Sequence, residues 1–194
     1  MRASLSFGLM LIVCLLQGCS PVRTGDGQAS PQGDAHSGKT QEPRNTEPFR
    51  EDQRIETSAV DRIYSQFRIL IHVNVTSFNG NVLISGEVPD EATKAAIEKT
   101  VSGVEGVRHL NNELIVSGNS SLASRSNDSL ITTSVKLGLV RDKRISAEHI
   151  RAVSENGTVF LMGSVTRAEG DAAADIASTT NKVVRVVKLF EYKD

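Results

Sequence analysis

The chain has 194 residues, of which 39% are hydrophobic, 23% charged and 4% aromatic, with no Trp. That composition supports small aliphatic cores rather than one large core. A formal net charge of −1 excludes a bulk polycation for nucleic acid, and two Cys exclude a disulfide framework or a Cys-rich zinc site. The only long apolar run lies at the extreme N-terminus, which excludes a multispan membrane protein.

Residues 5–16 form an apolar run of about a dozen positions behind Arg2, the length of a signal-peptide core and short for a bilayer span. The run ends in Leu16-Gln17-Gly18-Cys19, which resembles the bacterial lipobox. The resemblance implies that residues 1–18 are removed and that Cys19 is acylated as the new N-terminus. An ordinary secretory signal with a chance Cys is the alternative. Two or three acyl chains, at about 0.8 kcal/mol per buried methylene, would anchor the protein firmly. Ser20 follows the Cys, and within the lipoprotein class it implies export to the outer membrane, facing the periplasm. Cys14 leaves with the signal and Cys19 is consumed by lipid, so no thiol remains for redox chemistry.

Residues 19–51 are rich in Ser, Pro, Gly, Gln, Thr and mixed charge, with Val22 and Phe49 as the only large apolar residues. Such a stretch cannot offset its ordering entropy and is expected to be a flexible tether, about 30 Å in r.m.s. span. His36 and Gly25-Asp26-Gly27 fall within it and have no strand or helix around them to make a phosphate loop.

The remainder repeats itself. Asn79 to Val88 matches Asn156 to Val165 at an offset of 77, and Asp52, Ile55, Ala59 and Ile63 match Asp128, Ile131, Val135 and Leu139 at an offset of 76. A Gly/Ser/Asn-rich join at 118–127 separates a module at 52–117 from one at 128–194. In each, an acidic or small residue opens a helix with apolar positions at i, i+4 and i+8. A strand, an Asn-Gly hairpin turn and a second alternating strand follow. Gly86 and Gly163, in mid-strand, predict a close backbone approach by a helix. A second helix opens at Pro89-Asp90-Glu91 in the first module and at a Thr166/Glu169 capping box in the second. A last strand closes each module, at 110–116 and 183–190. The order α-β-β-α-β predicts an α/β fold, a small α+β sandwich, in two tandem copies.

The pattern Asp-x-x-Ile-x-x-x-Val-x-x-x-Leu, then Asn-Gly-x-Val-x-Leu-x-Gly-x-Val, then Ala-Ala, resembles the BON domain. The second module fits it best, through Asp128, Ile131, Val135, Leu139, Asn156, Gly157, Val159, Leu161, Gly163 and Val165. Two such domains behind a lipobox look like the dual-BON outer-membrane lipoproteins. The resemblance implies a non-enzymatic periplasmic protein that binds anionic phospholipid of the phosphatidylglycerol type through its second domain. It also implies support of envelope integrity and enrichment at the division site. Two positions depart from the pattern. Leu130 stands where a family member has an aromatic residue, and Lys182 stands where the first module has Gly106, so that turn is expected to be built differently.

On a helical wheel Ile131, Val135 and Leu139 share the core face, while Leu137 and Arg141 fall within about 20° of Leu130 on the other side. Lys143 and Arg144 follow. Leucines rimmed by cations suit an anionic lipid interface, so Leu130, Ser134, Leu137, Arg141, Lys143 and Arg144 are the candidate lipid-binding residues. The alternative packs Leu130 and Leu137 against the first module. Residues 52–117 carry 6 basic and 9 acidic groups, whereas residues 128–194 carry 10 and 9, which also favours the second module. A second functional reading makes the modules an adapter for an envelope protein partner, with only Cys19 in the membrane. Enzymatic readings find no support: His72, His109 and His149 are scattered, and no nucleophile or dinucleotide motif appears. No cofactor, metal or nucleic acid is expected.

Overall fold

The computed structural model describes residues 47–67, 71–117 and 122–194, all within one compact unit. The signal segment, Cys19 and the tether up to residue 46 lie outside the described residues. The first module runs α1 (Glu47–Gln66), β1 (His72–Phe78), β2 (Asn81–Val88), α2 (Glu91–Ser102) and β3 (His109–Val116). The second runs α3 (Leu122–Arg141), a 3-10 turn (Ala147–His149), β4 (Ile150–Glu155), β5 (Thr158–Val165), α4 (Arg167–Thr179) and β6 (Arg185–Tyr192). The α-β-β-α-β order holds in both.

Each sheet is mixed. β2 pairs antiparallel with β1 and parallel with β3, and β5 does the same with β4 and β6. The hairpins follow from Asn-Gly pairs in which both residues take positive φ: Asn79 at 50° with Gly80 at 73°, and Asn156 at 48° with Gly157 at 73°. These turns match the twist of the strands they join. Asp90 caps α2 through the Thr93 amide, and Thr166 with Glu169 forms a full capping box at α4.

One face of each sheet packs on its own two helices. Val82, Ile84 and Val88 meet Ile55, Ala59, Ile63, Ile97 and Val101. Val159, Leu161 and Val165 meet Ile131, Val135, Leu139, Ala172, Ala173 and Ala177. The alternate residues point the other way, because side chains alternate across a strand. Leu83 of β2 meets Phe160 and Met162 of β5 in a third core, joined by Phe78, Val187 and Leu189. The two sheets therefore pack back to back, with helices outermost on both sides. Polar contacts extend this seam. Asn81 donates to the Leu189 carbonyl at 3.2 Å, and Arg151 donates to the Ser77 carbonyl at 3.0 Å and pairs with Glu56 at 2.8 Å.

Four sequence expectations need correction. First, α1 starts at Glu47, inside the stretch read as tether (19–51), and α3 starts at Leu122, inside the join (118–127). Glu47 with Arg50, and Glu51 with Arg54, support the first turns of α1 as i,i+3 pairs, while Ser124 donates to Asn156 and ties α3 to the hairpin. Second, Asp52 and Asp128 do not open their helices. They sit inside them, buried, and accept hydrogen bonds from the hairpin amides. Asp52 accepts from Asn79 N at 2.8 Å, Gly80 N at 2.9 Å and Ser77 Oγ at 2.5 Å, and Asp128 from Asn156 N at 3.0 Å and Gly157 N at 2.8 Å. Third, the backbone that crowds Gly86 is the start of the neighbouring strand β1, not a packing helix, and the backbone that crowds Gly163 is the last residue of the 3-10 turn where it enters β4. A Cβ at Gly86, which has φ 122°, would strike the His72 carbonyl, and one at Gly163 would strike the His149 carbonyl. Fourth, the turn before the last strand is built alike in both modules, because Lys182 adopts φ 67° where Gly106 has 90°.

Candidate functional site

The most distinctive surface of the described residues is the outer face of α3. Its inward stripe of Ile131, Val135 and Leu139 is buried, which fixes the roll of the helix and turns the opposite stripe to solvent. Leu130 is 62% exposed and Leu137 50%. Neither is sealed in the seam between the modules, where the core is made by the sheets. Ser134, Arg141, Lys143 and Arg144 are exposed as well.

The structure adds Val140, which is 72% exposed, and Lys136, also exposed. Both lie on the flank of the wheel next to Leu137, and the same periodicity that singled out Leu130 carries them. Val140 and Lys136 also edge a groove of about 660 Å³, lined further by Phe49, Gln53, His149 and Arg151.

The cations differ in availability. Arg144 is held by Asp142: its Nη2 lies 2.7 Å from Oδ2, its Nε 3.0 Å from Oδ1, and its backbone N donates to Oδ1 at 2.9 Å. The side-chain hydrogen bonds from Arg144, then its amide, push the Asp142 carboxyl down to about 2. Arg144 therefore brings its own counter-charge, and the six-residue set is electrostatically weaker there than its sequence suggests. On this face Lys136, Arg141 and Lys143 form no ion pair with the described residues and so carry no counter-charge of their own.

The matching helix of the first module offers no such face. At the positions of Leu130, Leu137 and Val140, α1 carries Arg54, Asp61 and Tyr64. Arg54 is paired with Glu51, and Asp61 is exposed. Among the described residues no helix is long and apolar enough to cross a membrane.

Known proteins give this architecture a family. The BON domain model matches twice, over residues 54–118 and 127–194. The outer membrane lipoprotein DolP of Haemophilus influenzae is 39% identical over 181 residues, covering 92% of this chain and 91% of its own. The 21 kDa hemolysin of Actinobacillus pleuropneumoniae is 32% identical over 66% of this chain and 66% of its own. The osmotically-inducible protein Y of Escherichia coli is 30% identical over 54% of each. With both halves matched by one model and a relative aligned along nearly its whole length, the chain belongs to the BON-domain family and is a dual-BON protein of the DolP type.

Proposed function

We propose that this protein is an outer-membrane lipoprotein, anchored through acylated Cys19 and facing the periplasm, that binds anionic phospholipid with the outer face of α3. The similarity to the outer membrane lipoprotein DolP and the Leu16-Gln17-Gly18-Cys19 motif support the anchor. The observation that carries lipid binding is the exposure of Leu130, Leu137 and Val140 beside Lys136, Arg141 and Lys143, a combination α1 lacks.

The chemistry is that of an interfacial helix. The leucines and Val140 enter the acyl boundary, and the three cations stay at the phosphates, each worth about 1 kcal/mol near an anionic surface. Removing a largely exposed Leu from water contributes about 1–2 kcal/mol, since full burial of such a side chain is worth about 1.5–3 kcal/mol. The exposed face is thus expected to give reversible binding, with permanence supplied by the acyl chains.

Co-sedimentation of a chain lacking residues 1–19 with vesicles separates this contact from the anchor. Binding to phosphatidylglycerol-containing vesicles is expected to exceed binding to phosphatidylcholine ones and to weaken in part with salt. Leu130→Glu is expected to lower the partition coefficient by tenfold or more, about 1.4 kcal/mol. Equal pelleting of parent and variant would reject the face. A photocrosslinker at position 137 in intact cells distinguishes the adapter reading, which requires protein adducts rather than lipid adducts.

A further inference from the structure

Away from α3, three metal-ligating side chains converge at the seam between the modules. His72 opens β1 and Glu87 lies opposite it on β2, while Glu155 ends β4 in the second module. One ligating atom from each lies within 4.8 Å of the other two, and His72 Nε2 is 4.0 Å from Glu155 Oε1. Glu87 is 1% exposed and Glu155 5%. Glu87 Oε1 accepts a hydrogen bond from Asn156 Nδ2 at 2.6 Å, whereas its Oε2, equally buried, has no partner. Two carboxylates buried this close are costly; Arg125, on the lining of the same cleft, acts by charge on Glu155, but Glu87 Oε2 is left without a hydrogen-bond partner.

Asn74 lies between the imidazole and Glu155. Asn74 Nδ2 donates to Glu155 Oε2 at 3.0 Å, which fixes the amide's nitrogen end, and the same nitrogen lies 3.3 Å from His72 Nε2. With the Nδ1-protonated tautomer, that ring nitrogen accepts from Asn74, and an entering cation would take this lone pair in place of the amide. Beside it opens a cleft of about 400 Å³, lined by His72, Asn74, Arg125, Asp128, Ser154 and Glu155, with room for water.

We propose that His72, Glu87 and Glu155 bind one divalent cation of the zinc type, which bridges the two modules. Imidazole nitrogen and carboxylate oxygen are both zinc donors, and three of them with a water from the cleft would complete a tetrahedron. Bonds of about 2.0–2.2 Å place tetrahedral ligands about 3.3 Å apart, so the His72–Glu155 pair closes by less than about 1 Å. The nitrogen donor disfavours calcium and magnesium, which take all-oxygen shells. The bound ion would satisfy Glu87 Oε2 and screen the two carboxylates from each other. Because its ligands come from both modules, its removal would loosen the seam.

The full chain in detergent, stripped with EDTA and dialysed against ZnCl2, tests this. One zinc per chain and a raised Tm are expected, with no comparable Tm change in CaCl2. Glu155→Gln and His72→Ala are expected to weaken zinc binding about tenfold or more and to abolish the Tm rise. Glu155→Gln keeps its volume and removes a buried charge, so its metal-free Tm is expected to equal or exceed that of the parent, which guards against misfolding as the cause. His109→Ala, at an exposed histidine of β3, is expected to bind zinc like the parent. The assignment is overturned by no retained zinc, by equal zinc affinity in Glu155→Gln and His72→Ala, or by an equal response to calcium.

Discussion

Replacing Asp128 by Ala removes the acceptor for two backbone amides at once. Asn156 N and Gly157 N donate to its two carboxylate oxygens at 3.0 and 2.8 Å, and the side chain is buried within α3. Hydrogen bonds to a charged partner contribute about 1.5–3 kcal/mol each, but Asn156 and Gly157 are only half-buried and water can partly replace the acid. The expected cost is therefore about 3 kcal/mol. Asp52 in the first module receives three donors, including the buried amide of Gly80 and the buried hydroxyl of Ser77, so Asp52→Ala is expected to cost about 1 kcal/mol more. Urea unfolding of the full chain measures both. With a slope of about 2 kcal/mol/M, Asp128→Ala lowers the midpoint by about 1.5 M. The Asn variants retain one acceptor oxygen and are expected to fall between parent and Ala. A midpoint for Asp128→Ala within error of the parent, or a smaller loss for Asp52→Ala than for Asp128→Ala, would refute the role of these acids as clamps on the hairpins.

Two further outcomes follow from strain and burial. Lys182→Gly releases a non-glycine residue from φ 67° at the loss of one exposed hydrogen bond from its Nζ to Asn127, and is expected to raise Tm by about 1–2 °C; a lower Tm counts against the argument. Burial, opposed by the Asn74 hydrogen bond and Arg125 but reinforced by the charges of Glu87 and Asp128, pushes the Glu155 carboxyl up from 4.5 to about 7. The folded chain then holds a proton that the unfolded chain releases, so this contribution to stability is full below 4.5 and is lost as pH rises through about 7. In EDTA, Tm is expected to fall between pH 5 and pH 8, and Glu155→Gln to flatten the profile; an unchanged profile in that variant would contradict the assignment.

Local chemistry was readable from the residues, and long-range contact was not. Asn-Gly, Thr166 with Glu169, and Asp90 act through backbone within a few positions, so their turns and caps appear as expected. The outward stripe of α3 is readable because helical periodicity is a local rule, and Val140 and Lys136 belong to the flank of the same stripe. Asp52 and Asp128 resemble helix openers in sequence, and only their partners 25–29 residues away reveal them as clamps. The crowding of Gly86 comes from a carbonyl on its paired strand and that of Gly163 from the 3-10 turn leading into its paired strand, sources that a mid-strand glycine alone cannot distinguish from a packed helix. The seam is marked in the sequence by Val82-Leu83-Ile84 and Val159-Phe160-Leu161-Met162, unbroken apolar runs of the kind a strand covered on both faces carries.

The shared third core has a consequence for how such a duplicated chain can change. Leu83, Phe160 and Met162 each need the opposite copy to stay dry, so neither half can be shed or exchanged without wetting the other's back. The outward surfaces of the helices answer to no such obligation. One repeat can turn oily and the other acidic while their common spine stays fixed, so the two copies are free to diverge on their outer sides alone.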